Sequence, residues 1–302
     1  MRTRFAPSPT GPLHLGHAYA AIVAHDLARA AGGEFLLRIE DLDQGRARPE
    51  WEQAIHDDLT WLGLTWDGPV VRQSERTPAY RAALADLWAR GLLYPCACSR
   101  ADIAAAPSAP QEGAGPVLGP DGPVYPRTCF GRNWPEFAFD ARAAFPLPEA
   151  QALRLDMTGA LALLAGRTDP AAWTIGFTED GEGPNGERGR IETAGALLTS
   201  TIGDVVLARR GMAAAYHLAV VVDDAAQGVT HVTRGADLFE ATRIHVLLQQ
   251  LLGLPTPVYH HHRLIRDDQG KRLAKRDDAR ALATWRAAGA SPADIRRLVG
   301  LG

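Results

Sequence analysis

Near the N-terminus, Arg4-Phe5-Ala6-Pro7-Ser8-Pro-Thr-Gly-Pro-Leu-His14-Leu-Gly16-His17 carries a short apolar segment through a Pro/Gly turn into an expected helix. Backbone N–H groups and the positive end of a helix at such a turn can receive an anion. His14 and His17, three positions apart, fall on one face of the first helical turn. Two imidazoles there can donate hydrogen bonds to phosphate oxygens as charge builds on a reacting phosphorus. Gly16 between them leaves room for a nucleotide against the backbone.

Two further constellations stand out. Of the 32 Lys and Arg residues, only Lys271 and Lys275 are lysines, four positions apart. Where arginine serves for charge alone, these two mark places for a compact ammonium on a flexible stem. The three cysteines, Cys96, Cys98 and Cys129, lie close together with Tyr125 among them. An odd count in so short a stretch argues against a disulfide framework and for a reducing compartment. Soft thiolates suit zinc, and the phenol oxygen of Tyr125 can complete a tetrahedron. His260, His261 and His262 are adjacent, so a strand turns them to opposite sides; a non-metal role is expected for them.

With 302 residues and 46% apolar content, the chain can bury a full core. It has neither the layout of a signal peptide nor a membrane-spanning apolar run, and a cytosolic location is expected. A formal net charge of −3 and a pI near 6.4 give no overall case for nucleic-acid binding, which leaves local patches for any RNA contact.

These residues need elements to hold them. Short apolar runs, Arg2 to Phe5 and Phe35 to Ile39, alternate with Ala-rich helical stretches at 17–31, 49–62 and 77–91. The pattern predicts an α/β fold with a parallel sheet and crossover helices. Prolines 107, 110, 116, 120 and 123 break any helix over 105–126, which reads as a loop of an inserted subdomain. The Gly-rich stretch 178–190 reads as a surface hairpin or loop. Beyond it are expected a helical segment from Glu192 to Thr201, a strand-like run from Ala215 to Val222, a strand over Thr230 to Arg234, a helix from Leu238 to Leu252 and a last helical pair. The expected division is 1–94, first catalytic half; 95–190, insert; 191–254, second catalytic half; 255–302, a loop and helical C-terminal region.

Pro7-Ser-Pro-Thr-Gly-Pro-Leu-His-Leu-Gly-His17 resembles the HIGH-type motif of glutamyl- and glutaminyl-tRNA synthetases. Gly-Glu-Phe-Leu-Leu-Arg-Ile-Glu40-Asp-Leu-Asp43 is similar to the next block of the same enzymes. The resemblance continues through Tyr216-His-Leu-Ala-Val-Val-Val-Asp-Asp224 and Val229-Thr-His-Val-Thr-Arg234-Gly-Ala-Asp-Leu238. It ends at Arg272-Leu-Ala-Lys-Arg276, which looks like the KMSKS-type loop. The resemblance implies a class I Rossmann-like catalytic domain split by an insertion, with ATP and Mg²⁺ in the reaction.

Glutamate offers two carboxylates and one ammonium, and a selective pocket answers each with opposite charge. Arg4, Arg234 and Glu40 supply that set, since a planar guanidinium suits a carboxylate and a charge ending an apolar strand needs a reason. By resemblance, Arg4, Phe5, Ala6, Pro7, Ser8, Glu40, Tyr216 and Arg234 contact glutamate, while His14, Gly16, His17, Arg272 and Lys275 contact ATP. Lys275 is the expected follower of the departing pyrophosphate, because a point-like cation can track charge moving to the leaving group. Arg272 stands where the family usually has lysine, and Ala274 replaces a hydroxyl residue. Asp41, Asp43 and Arg46 read as structural. The Cys-x-Cys…Tyr-x3-Cys set is similar to the zinc site of a short paralogue of glutamyl-tRNA synthetase.

Only 26 residues follow Arg276, so no anticodon-binding domain is expected. The shortened form resembles that paralogue, which implies activation of glutamate without tRNA and transfer to the queuosine base of tRNA(Asp), by a monomer. A minimal enzyme charging the 3′ end of tRNA(Glu) and a non-catalytic RNA-binding paralogue remain the alternatives.

Overall fold

The computed structural model describes residues 1–105, 117–131, 146–148, 151–266 and 280–302. Strand β1 (Arg2–Phe5) leads through the Pro/Gly turn to helix α1 (Leu15–Ala30), then β2 (Glu34–Ile39), α2 (Pro49–Trp61) and the short β3 (Val71–Arg72). These strands form a parallel sheet in the order β1-β2-β3. Helix α1 is Ala-rich because it lies close on that sheet. Ala18, Ala21, Ile22, Ala24 and Ala28 are buried, and Thr3 donates from Oγ1 to the Ala24 carbonyl at 2.7 Å. The helix stops at Gly32, whose φ of +60° only glycine adopts without strain. There the Gly33 N–H bonds to the Ala28 carbonyl and the Gly32 N–H to that of Arg29.

After α3 (Thr77–Ala89) the chain leaves this sheet. Strand β4 (Leu93–Cys96) opens the insert, followed by α4 (Arg100–Ala105), a small hairpin of β5 (Leu118–Gly119) and β6 (Gly122–Pro123), then β7 (Ala152–Leu155) and α5 (Met157–Ala165). The next strands, β8 (Thr174–Glu179) and β9 (Gly189–Ala194), pair antiparallel and precede α6 (Gly195–Thr201) and β10 (Val206–Ala208). Strands β4, β7 and β10 form a separate antiparallel sheet. Helix α7 (Tyr216–Ala226), β11 (His231–Gly235), α8 (Thr242–Leu251), β12 (Val258–His262), α9 (Leu282–Ala287) and α10 (Pro292–Leu298) complete the described elements.

The larger sheet runs β11-β12-β8-β9, so its strands begin at Thr174, and the expected boundary between 190 and 191 falls inside strand β9. Two hydrogen bonds join the sheets side by side: the Thr230 N–H donates to the Arg2 carbonyl at 3.0 Å, and the Arg2 N–H donates to the Thr230 side-chain Oγ1 at 2.8 Å. The joined sheet is thus assembled from both halves of the chain, with β1 and β11 adjacent in its middle.

Two local expectations fail. Residues from Glu192 begin as strand, and the helix starts at Gly195. The run from Ala215 to Val222, expected as a strand from its valines, is the start of α7. An apolar run buried on all sides has no period to read, and tertiary packing decides it. The helix also serves Asp223 and Asp224: a turn of roughly 100° between them sends each to its own cationic cluster, where a strand would set them on opposite faces.

Candidate active site

A cavity of about 470 Å³ opens at the carboxyl ends of β1, β2, β11 and β12. It lies at the junction of the two sheets, where open α/β folds place their ligands. Strand β1 delivers Arg4 to Ser8, β2 delivers Glu40, β11 delivers Arg234 and β12 is followed by His262 to Ile265; the starts of α1 and α7 add His14, Gly16, His17 and Tyr216.

At the start of α1, His14 is the N-cap. Its Nδ1 accepts from the Gly16 N–H at 3.1 Å, and His17 Nδ1 accepts from the His14 N–H at 3.2 Å. With both Nδ1 atoms occupied as acceptors, a neutral ring carries its hydrogen on Nε2, the arrangement a phosphate donor requires. The rings lie 3.8 Å apart between centroids. Gly16 does more than leave room for a ligand: a β-carbon there would sit 3.1 Å from His14 Cε1, pressing on the ring that caps the helix.

The charges on the amino-acid side differ in how far the protein satisfies them. Arg4 is buried and donates to Asp224 through Nε at 2.9 Å and Nη2 at 3.3 Å, and to the Thr233 carbonyl. Asp224 also receives Arg38 Nη1 at 2.7 Å. Burial works against the charge of Asp224, but Arg4 and Arg38 outweigh it and hold the carboxyl below its usual range. Neighbouring Asp223 takes Gln73, Arg76 and Tyr80.

Arg234 is equally buried, at 6% exposure against 5% for Arg4, yet no carboxylate of the described residues pairs with it. Its donors reach His261 Nε2 at 3.2 Å, His245 Nδ1 at 2.8 Å and Thr242 Oγ1 at 2.5 Å. Burial, then the Arg234 charge, hold His245 well below the usual imidazole range, so this imidazole acceptor is neutral. Glu40 is the complementary case. Its carboxylate lies 3.5 Å from Arg38 and accepts no hydrogen bond among the described residues. Burial pushes its pKa up against the pull of Arg38 and Arg4. Among the described residues, one cavity therefore holds a cation with no carboxylate partner and a carboxylate with no hydrogen bond, only the ion pair to Arg38. Tyr216, 37% exposed, forms the wall between them and the insert.

Lys275, Arg272 and Ala274 lie outside the described residues. The flanks of that segment are described: Leu282 donates its N–H to the Leu13 carbonyl, Ala281 bridges to His14, and Ile265 lines the cavity. The structure brings Cys96, Cys98, Cys129 and Tyr125 together in the insert. The three sulfurs lie within 4.8 Å of one another, and Tyr125 Oη is 3.4 Å from both Cys96 and Cys98 Sγ. Thiolate-rich closed sites of this kind suit zinc at sulfur distances of about 2.3 Å, and this donor set fits the ion. Arg154 lies beside it, 3.3 Å from Cys96 Sγ and stacked on the Tyr125 ring, where its charge would offset that of thiolates holding a metal. The histidine run behaves as strand alternation requires: His260 meets Asp180, His261 is buried against Glu179, and His262 packs edge-on to Tyr19. Asp41 fixes Ser74, and Asp43 pairs with Arg46.

Sequence reasoning missed His217, His245, Thr242 and Asp121, and gave His261 only a non-metal role. Among the four missed, only His217 carried a signal, its place directly after Tyr216.

The family profile described as tRNA synthetases class I (E and Q), catalytic domain, matches residues 1–114 and 177–301. A protein named glutamyl-Q tRNA(Asp) synthetase from Rhodobacter capsulatus is 64% identical over 301 residues, all of both chains. One of the same name from Symbiobacterium thermophilum is 43% identical, covering 97% of this chain and 83% of its own. Among solved structures, a glutamate tRNA ligase from Elizabethkingia meningosepticum in complex with its amino acid superposes with a TM-score of 0.64 at 27% identity over 92% of this chain. This chain spans 52% of that ligase's length. A methionyl-tRNA synthetase from Mycobacterium tuberculosis, at 10% identity and a TM-score of 0.56, shares the fold. The chain belongs to the class I tRNA synthetases of the glutamate and glutamine branch and is an enzyme of the aminoacyl-tRNA synthetase, ligase type.

Proposed function

We propose that this enzyme activates L-glutamate with ATP, without tRNA, and transfers the glutamyl group to the queuosine base in the anticodon loop of tRNA(Asp). The observation that carries the first half is the pairing, in one cavity, of an arginine with no carboxylate partner and a glutamate that accepts no hydrogen bond among the described residues, beside two imidazoles at a helix N-terminus. The acceptor rests on the full-length relative at 64% identity and its name.

Arg234 takes the side-chain carboxylate of glutamate and Glu40 its ammonium, with the Arg4 to Ser8 segment and Tyr216 closing round the substrate. An α-carboxylate oxygen then attacks the α-phosphorus of ATP, the bond to the β-phosphate bridge breaks, and pyrophosphate leaves with its Mg²⁺. His14 and His17 donate to the phosphate oxygens, and Gly16 lies against the nucleotide. Arg272 and Lys275, assigned from the sequence, follow the leaving charge. In the second step a hydroxyl of the queuosine cyclopentenediol attacks the glutamyl carbonyl, gives its proton to solvent and expels AMP. Holding both partners in one site supplies much of that rate. Cys96, Cys98, Tyr125 and Cys129 would hold a zinc ion that cross-links the insert. Every assigned residue comes from one chain, so a monomer suffices, and the cytosol supplies ATP and tRNA. Among the described residues no helix is long and apolar enough to cross a membrane.

The test is glutamylation of bulk tRNA, with and without queuosine, using labelled glutamate and ATP, followed by nuclease mapping. Label in the anticodon fragment of tRNA(Asp), dependent on queuosine, supports the proposal. Label at the 3′ end of tRNA(Glu) replaces it with the minimal charging enzyme.

A further inference from the structure

Arg234 is held from behind by a chain of imidazoles that ends in the insert. Its Nη1 lies 2.8 Å from His245 Nδ1, His245 Nε2 lies 2.9 Å from His217 Nδ1, and His217 Nε2 lies 2.8 Å from Asp121 Oδ2. Asp121 sits on the turn between β5 and β6, at the wall of a second cavity of about 530 Å³ that shares Tyr216 with the first.

The protons in this chain have one arrangement. A guanidinium only donates, so His245 Nδ1 is bare. A neutral His245 then carries hydrogen on Nε2 and donates to His217 Nδ1. That leaves the His217 hydrogen on Nε2, donated to the Asp121 carboxylate, which only accepts. His261, on the other side of Arg234, takes the opposite tautomer, donating from Nδ1 to Glu179 and accepting from Arg234 on Nε2. A carboxylate thus ends each arm, one imidazole away on the His261 side and two away on the Asp121 side. The guanidinium is oriented through neutral rings and its charge is not cancelled.

We infer that Asp121, His217 and His245 are positioning residues for Arg234, and that the β5–β6 turn of the insert is thereby part of the amino-acid pocket. The inference rests on reading that pocket as the glutamate site. Asp121 contacts His217 and not Arg234 itself; it acts by ordering two rings.

ATP–pyrophosphate exchange with the full chain over a range of glutamate concentrations tests this. Asp121→Ala is expected to raise the KM for glutamate roughly fivefold, the scale of one ordinary hydrogen bond, with kcat and the KM for ATP unchanged. Asp121→Asn keeps an oxygen acceptor and is expected to recover most of the loss, which a merely structural role for the turn would not predict. Imidazole ¹⁵N NMR of the wild type is expected to find His217 and His245 with hydrogen on Nε2. A wild-type KM in Asp121→Ala, or an Nδ1–H tautomer at either histidine, overturns the inference. A wild type inactive in exchange with glutamate would sink the glutamate reading instead, and the tautomers would still decide the chain.

Discussion

Arg4 and Arg234 reach one pocket from neighbouring strands at nearly equal burial, and the protein treats them oppositely. Arg4 is answered by Asp224 with two hydrogen bonds, and the same carboxylate also takes Arg38. Arg234 meets two imidazoles and a hydroxyl. A buried charge is costly, and a partner built into the fold makes it a structural part. A charge left without its counter-ion is reserved for a ligand, and the fold elsewhere carries that cost.

The widest separation between the two should come from removing each. Arg234→Met is expected to lower kcat/KM for glutamate in pyrophosphate exchange by roughly a thousandfold, the loss of a charge-assisted bidentate contact in a buried site, with no loss of thermal stability. Asp224→Ala strands two arginines and is expected to cost about 3–5 kcal/mol of stability, measured by denaturant unfolding. Equal stability losses in the two variants would break the comparison. Next in size, Glu40→Gln should raise the KM for glutamate about thirtyfold with little loss of stability, since one charged hydrogen bond to substrate is lost while Arg38 keeps its hydrogen bonds to Asp224 and Gln227.

The pH profile sharpens the same point. Glu40 must be ionised to hold an ammonium, and burial raises its pKa above the ordinary carboxylate range. Exchange at low glutamate should therefore fall on acidification at a pH above that of an exposed glutamate, and the limb should be missing in Glu40→Gln. The smallest effect concerns a third buried charge, remote from the pocket. Asp58 is pushed up to about 6 by burial, with Arg286 only 3.7 Å away. A raised acid pKa means the folded state is penalised as pH climbs from near 4 through 6. Asp58→Asn should stabilise the protein by about 1–2 kcal/mol at pH 8 and by nothing near pH 4.

The arrangement of the helix start beside the cavity was legible because its signals are local. His14, Gly16 and His17 sit within one helical turn, and the cap hydrogen bonds follow from that spacing. The cysteine cluster was legible because residue type alone restricts what it can bind. Arg4, Glu40 and Arg234 could be named as a charge set, but which of them is already neutralised could not be read, because Asp224 reaches Arg4 from 220 positions away. His245 was invisible for the same reason: on helix α8 it looks like one polar residue in an amphipathic segment, and only the packing of α7 against α8 puts it between His217 and Arg234. Helix α7 itself misread as strand because an all-round buried valine run carries no period.

The joining of the two sheets through Arg2 and Thr230 sets an order of events during synthesis. The guanidinium of Arg4 donates to a carbonyl 229 residues further along the chain. At roughly 5–20 residues per second, β1 and α1 leave the ribosome on the order of ten seconds or more before the strand that covers their open edge. Until then the nascent chain exposes an unpaired strand and two cations whose counter-ion has not been made. An interrupted product that ends before β11 has the helix that would hold phosphate and no completed site to use it.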